Sequence, residues 1–534
     1  MENLQNFTEI NYCENIIIGA GPAGLQCAYF FKKYAFDYLV LERNSKAGSF
    51  FEKFPHSGKL ISINKKYTGN DNQDFNLRHD WNSLLNDEGL LFTKYSNSFY
   101  PPRDKLFEYL NDFANINNLN ISYNKEIDKI SKDNNFYFIF IKNTKEIFKC
   151  SKLIIATGLS RKKIPDIQFD ITNPVKYYSD IPTNFFINKI NDYVNKKIII
   201  VGGGNSGFEL ANLLNEVASS VVVIVKNDIR WSISTHNAGD LRTVYVPFID
   251  TFSLKSLNGI ECLVKPFKIQ EINNKYYYLI ENNKISSSFD EIFICTGWTF
   301  DNSIFDFYLG ASNKNNIPES NELFESTYNK NLFFIGEIMK ASVKTKSSAG
   351  FIHGFRYLIK NFVNIHYNIP FDFKIFDYDS EYESLINHII YRINNNSDMY
   401  QMYGVIGDVM FINHSLKKII YCHNFYHNYI QYFIQKILSQ EINYFQNINY
   451  SFDFAILISL DFGNNLNKLP LIFHKKSVMG DESNSKYIHP VLFVLKKNSD
   501  IIIDKIHFDE NLLAIFDDKE IYFDKFFRTI KMFI

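Results

Sequence analysis

Two stretches of the chain repeat one arrangement of apolar and polar positions. In the first, the apolar run Asn15–Ile18 leads into Gly19-Ala20-Gly21-Pro22-Ala23-Gly24, a helical stretch over residues 25–33, and a second apolar run, Tyr38–Leu41. In the second, Lys197–Val201 leads into Gly202-Gly203-Gly204-Asn205-Ser206-Gly207, a helix over residues 208 to about 217, and a run at 221–225. Short runs rich in Ile and Val, without alternation, predict strands buried on both faces of a parallel sheet. Each stretch predicts a strand–helix–strand unit. Two of them predict a doubly wound α/β fold with two Rossmann-like dinucleotide-binding domains.

The remaining patterns order these units. Residues 135–141 alternate in the manner of an antiparallel excursion, and 152–158 return to the first sheet. Residues 291–297 have the same shape and close the second unit, while 331–337 supply a last strand ending in Gly336 and an acid. The expected organisation is a first part of one dinucleotide-binding domain at 1–165, a second dinucleotide-binding domain inserted at 166–300, and a return segment of the first at 301–365. Residues 366–534 read as an α+β region with no further glycine fingerprint. The cluster Asn394-Asn395-Asn396 reads as a loop tip.

Composition narrows the class. With 46% apolar and 22% charged residues the chain has ordinary globular usage. Fifty-seven basic against 58 acidic residues, a formal net charge of −1, argue against a nucleic-acid protein. No run approaches the ~20 apolar residues of a membrane span. The longest, 454–460, has strand length, and the first residues carry neither a basic start nor an apolar stretch. A cytoplasmic protein without a transmembrane segment is the expectation. The abundance of Phe (52) and Tyr (34) reads as base-composition bias and carries no function. The six cysteines include no Cys-x-x-Cys pair and none at metal-ligand spacing with histidine, so neither a zinc site nor an in-chain dithiol is expected.

In each loop the first glycine (Gly19, Gly202) permits a tight turn, and the second (Gly21, Gly204) lets the backbone approach a pyrophosphate. The third (Gly24, Gly207) lets helix and strand pack. The phosphates would lie on free N–H groups at the positive end of the helix, beside Asn205 and Ser206 in the second loop. Glu42, with Arg43 beside it, closes the strand after the first helix, where a carboxylate can accept ribose hydroxyls. The second unit has Lys226 and Arg230 near that position, with Asp228 between them, which favours a 2′-phosphate and hence NADPH. Gly158, Gly297 and Gly336 end strands and join the cofactor-binding set. Gly350 and Gly354, four apart, are expected on one helix face close to a flat ring, while His353 reads as a structural histidine. Two dinucleotides held face to face suit hydride transfer from nicotinamide to flavin.

With these residues in place, the chain resembles the class B flavin-dependent monooxygenase-like flavoproteins, including an endoplasmic-reticulum branch. The matching stretches are residues 19–26, 59–65 with Tyr67-Thr68-Gly69, 76–85, 239–242 and 295–301. Residues 400–405 and 489–491 add to them, so the likeness covers most of the chain. The resemblance implies FAD in the first unit and NADPH in the second. It also implies an asparagine beside the flavin that supports oxygen chemistry, here Asn64, with Asn82 nearby in sequence. Two departures stand out. Residues 175–182 carry tyrosine where the family's fingerprint has histidine, and neither Met1–Asn6 nor Lys531–Ile534 reads as the signal or retention segment expected of the endoplasmic-reticulum branch.

Three readings follow. The first is a monooxygenase acting with O2 on a small nitrogen- or sulfur-containing molecule. The second is an oxidoreductase passing electrons to a partner's disulfide or another acceptor. In the third, the flavoprotein serves mainly as a binding module through its C-terminal region. Arg78 to Trp81 are the pointer to a substrate pocket.

Overall fold

The computed structural model describes residues 9–247, 260–264, 266, 268–280, 284–310, 315–343, 345, 347–430, 432–433, 452–463, 482–485, 487–496, 502–511 and 513–534. Asn15–Ile18 pairs in parallel with Tyr38–Leu41 on one side and Lys152–Ile155 on the other. Ile121–Ser122 and Leu332–Phe334 complete a five-stranded parallel sheet. A second five-stranded parallel sheet is formed by Lys176–Tyr177, Glu291–Ile294, Lys197–Val201, Ser220–Ile224 and Ile260–Val264. All its strands fall between two neighbouring strands of the first. Every side chain of Asn15–Ile18 is buried, as expected of a strand covered on both faces.

Helix α1 (Pro22–Lys33) follows the first glycine loop, α2 (Arg103–Ile116) packs nearby, and α3 (Asn205–Leu214) follows the second loop. Both loop helices start three residues earlier than the apolar pattern predicts. Pro22 is tolerated at the first helical position because its missing N–H has no partner there, and its φ is already helical. The alternating run at 135–141 forms Phe136–Ile141, antiparallel to both Ile127–Asp133 and Glu146–Cys150.

Helix α4 (Ile352–His366) leads out of the first sheet into the C-terminal region. There, α5 (Tyr382–Asn395) and α6 (Ser397–Gln401) pack on a six-stranded antiparallel sheet. Its order is Phe373–Asp377, Lys418–Tyr426, Ile406–Asn413, Phe454–Asp461, His489–Lys496 and Ile502–His507. One continuous hydrophobic core runs from Ile17 of the first sheet through α1, α2 and α4 to Tyr426 and Leu495 of this sheet. The asparagine cluster is no loop tip. Asn394 and Asn395 end α5, and buried Asn396 caps α6, its Oδ1 accepting the Met399 N–H at 2.9 Å. Their amides replace backbone partners in a tight helix–helix junction.

Candidate dinucleotide cradles

The two glycine loops divide their work identically. A Cβ on Gly24 would lie 1.9 Å from the Gly19 carbonyl oxygen, and one on Gly207 would lie 1.9 Å from that of Gly202. These two positions are therefore closed to any side chain. Gly19 (φ +100°) and Gly202 (φ +125°) adopt turns that L side chains rarely take. Gly21 and Gly204 are different: a Cβ on either would meet nothing within 4 Å. Each caps its helix without a side-chain hydrogen bond, and the first N–H groups of a helix have no intrahelical partner. Gly158 (φ +62°) and Gly297 (φ +82°), past the neighbouring strands, are equally uncrowded. Both cradles can thus take a pyrophosphate at a helix N-terminus.

Glu42 is buried and braces the first loop. Its Oε2 accepts the Ala20 N–H at 2.8 Å, and its Oε1 accepts the Asn44 backbone N–H at 2.9 Å and the Asn44 side-chain amide at 3.0 Å. Arg43 is exposed. Gly336 (φ +83°) packs against α1, where a Cβ would meet that of Ala23 at 2.6 Å.

In the second cradle the Asn205 side chain is bound to a neighbouring loop. Its Nδ2 donates to the Asp240 carbonyl at 3.0 Å and its Oδ1 accepts the Arg242 N–H at 2.9 Å, which ties down residues 239–242. Ser206, Gly297, Lys162 and Trp298 line a small cavity beside the loop. Lys226 pairs with Asp166, and Arg230 Nη2 lies 3.0 Å from Asp240. Both cations keep more than half of their side-chain surface exposed (59% and 64%).

Gly350 does not share a helix face with Gly354. Phe351 is extended and α4 begins only at Ile352, which leaves Gly350 outside the helix. Gly354 is small for its own turn and for the C-terminal region: a Cβ there would meet the Ser348 oxygen at 2.0 Å and Met402 Sδ at 2.8 Å. A Cβ on Gly350 would meet the Lys340 side chain at 2.9 Å. His353 is a stacked structural ring, 4.2 Å from Trp81 and 5.7 Å from Phe351, and burial holds its pKa well below the ordinary value.

Asn64 is buried. Its Nδ2 donates to the carbonyls of Ser96 (2.7 Å) and Ser98 (3.2 Å), and its Oδ1 has no hydrogen-bond partner. Asn82 is spent on structure, accepting from Ser62 Oγ at 2.5 Å and donating to the Ile63 carbonyl at 3.1 Å. Arg78 is not a pocket residue. It is buried and donates to the carbonyls of Ile393 and Asn396, both at 2.9 Å, at the end of α5.

The sequence reading missed the seam between the two sheets. Glu209, buried on α3, accepts the Ser57 N–H at 2.6 Å and the Tyr178 hydroxyl at 2.7 Å. Burial raises the Glu209 pKa. Tyr178 lies in the stretch where the family's histidine was expected, and its carbonyl bonds the His56 ring at 2.9 Å. Arg103 of α2 spans from the Pro55 carbonyl (2.7 Å) to Asn184 Oδ1 (2.9 Å). The available signal was the one carboxylate in Phe208–Leu214 of α3, a stretch otherwise apolar except for Asn212.

Cys13, Cys27, Cys150, Cys295 and Cys422 are buried and free; burial pushes the Cys13 thiol up to about 12. The Cys262 side chain lies outside the described residues. Among the described residues no group of three or more His, Cys, Asp or Glu could hold a metal, and no helix is long and apolar enough to cross a membrane.

A family model described as pyridine nucleotide-disulphide oxidoreductase matches residues 16–336, which span both cradles. The chain belongs to that family. Among its curated relatives are two FAD-dependent oxidoreductase domain-containing proteins. FAD-dependent oxidoreductase domain-containing protein 2 of Mus musculus is 32% identical over 90% of this chain and 76% of its own length. That of Danio rerio is 30% identical over 76% of this chain and 65% of its own. Among solved structures, a flavin-containing monooxygenase from Stenotrophomonas maltophilia has the same α/β fold over 67% of this chain and 99% of its own. Its TM-score is 0.53 at 16% identity.

Proposed function

We propose that this family member is an FAD-dependent oxidoreductase reduced by NADPH, with FAD in the first cradle and NADPH in the second. The observation that carries this reading is the pair of matched loops, each with a first glycine at positive φ, an open glycine under a helix N-terminus and a last glycine with no room for a side chain. Residues 166–300 would then be the nucleotide unit inserted between 1–165 and 301–365, with 366–534 as a further α+β region. When bound, the flavin supplies the site that accepts hydride and hands electrons on. The protein's part is to orient: Glu42 braces the loop beneath the ribose, and Gly158 and Gly297 leave room along the nucleotides. Lys226 and Arg230 offer cations near a 2′-phosphate, each shared with an acid.

For the fate of the electrons, oxygen transfer to a small nitrogen- or sulfur-containing molecule is supported by Asn64. A buried amide oxygen without a partner is costly unless a ligand completes it. Electron transfer to an outside disulfide is the second reading, favoured by Tyr178 in place of the fingerprint histidine. The decisive experiment mixes purified yellow protein anaerobically with NADPH or NADH, then with O2 and a panel of amines and sulfides. Flavin bleaching by NADPH, followed by oxygenated product, supports the first reading. Bleaching with all electrons recovered as H2O2, or drained by a disulfide partner, supports the second. Protein that binds no flavin sinks both.

A further inference from the structure

Besides the shared apolar core, one short segment beside the first cradle, residues 72–83, is gripped from two sides. From α4, fully buried Arg356 donates to the carbonyls of Leu77 (2.8 Å), Asp80 (3.1 Å) and Ser83 (2.7 Å). From the opposite side come α5 and α6. Arg78 Nε and Nη2 reach the last carbonyls of α5, where the helix dipole favours a cation. Its guanidinium also lies 4.8 Å from the Tyr400 ring and 5.4 Å from that of Phe75. Gln401 donates back to the Arg78 carbonyl, and Asp74 accepts the Ser397 N–H at 3.1 Å and the Ser397 hydroxyl.

The junction that does the gripping is anchored in turn. Arg392 of α5 forms a two-pronged pair with Asp408 of the C-terminal sheet (2.7 and 2.9 Å). Asn424 of the next strand accepts from both Arg392 and Asn396. A buried pair of this kind contributes geometry more than net stability, because desolvation offsets much of its attraction.

What segment 72–83 holds is Asn64. Asn64 and Asp80 form a β-bridge, the Lys65 N–H donates to the His79 carbonyl (2.9 Å), and the Trp81 N–H donates to the Ile63 carbonyl (3.1 Å). We propose that residues 366–534 are the positioning element of the active centre: the α5–α6 junction fixes residues 72–83, which fix Asn64. Arg78 is the principal positioning residue. The link to catalysis rests on the reading of Asn64 given above.

The test uses the full chain with its flavin and compares wild type, Arg78→Met and the milder Asp74→Asn. Both variants should speed amide exchange in peptides covering 60–66 and 79–84 by about tenfold, and leave 152–155 and 197–201 unchanged. Flavin reduction by NADPH should keep its rate, while re-oxidation by O2 in the absence of substrate rises about fivefold. Unchanged exchange at 60–66 in Asp74→Asn, with loosening confined to 390–401, would overturn the proposal even if Arg78→Met fails to fold. So would faster exchange with an unchanged re-oxidation rate. The exchange measurement needs no nucleotide. A wild type that NADPH cannot reduce would therefore sink the proposed function while leaving the mechanical link to be judged separately.

Discussion

Asp398, in the first turn of α6, is 2% exposed and its Oδ1 has no hydrogen-bond partner. It faces Arg392 from α5, Asp74 from the 72–83 segment, Asp408 from the C-terminal sheet and Lys360 from α4. Arg392 attracts it, but that guanidinium is already committed to Asp408 at 2.7 Å. Burial therefore dominates and raises the Asp398 pKa from 3.8 to about 7. The folded state keeps a proton that the unfolded chain has released, so stability falls as pH rises from about 4 to about 7. At about 1.4 kcal/mol per pH unit, this one carboxyl removes up to about 4 kcal/mol between those limits. Asp398→Asn, which stays neutral, should lose that dependence. Urea unfolding of wild type and variant at pH 5, 6, 7 and 8 measures it: the variant should gain on wild type steadily and level off near pH 8. A stability difference that is the same at pH 5 and pH 8 would refute the reasoning.

Gly21→Val should abolish FAD binding, read as flavin released per protein, while leaving the flavin-free fold at its wild-type melting temperature, because only open space surrounds that position. Gly24→Ala should do the reverse and fail to fold stably, since its Cβ would sit 1.9 Å from a carbonyl oxygen. Lys226→Ala combined with Arg230→Ala should raise the KM for NADPH and spare NADH; equal loss of both would contradict the assignment. Tyr178→Phe leaves buried Glu209 short of one donor, which should cost about 1–3 kcal/mol in urea unfolding; no measurable loss would mean the seam is not held there.

The cradles were legible because their geometry depends on glycine itself: no other residue fits at Gly24 or Gly207, so spacing alone reports the turn. What Lys226, Arg230 and Asn205 do is decided by Asp166, Asp240 and Arg242, partners set by tertiary contact that no spacing announces. The start of α4 fell on the wrong side of Gly350 because two glycines four apart look helical whether or not the helix has begun. In the C-terminal sheet the period-two signal is erased at its centre. All eight residues of Ile406–Asn413 are buried, so the strand shows no polar face and its partners could not be told from sequence.

The boundary near residue 366 is a boundary in the sequence but not in the packing. Phe324 stacks on Tyr426 at 5.5 Å, Asn361 Oδ1 accepts the Tyr426 N–H at 3.2 Å, and Met402 fills the notch left by Gly354. A gene truncated there would encode both cradles intact and still yield a chain with a raw apolar flank, prone to aggregate before it could load a nucleotide. Grafting this region onto a relative would therefore require the side chains on α4 that receive it to travel with it.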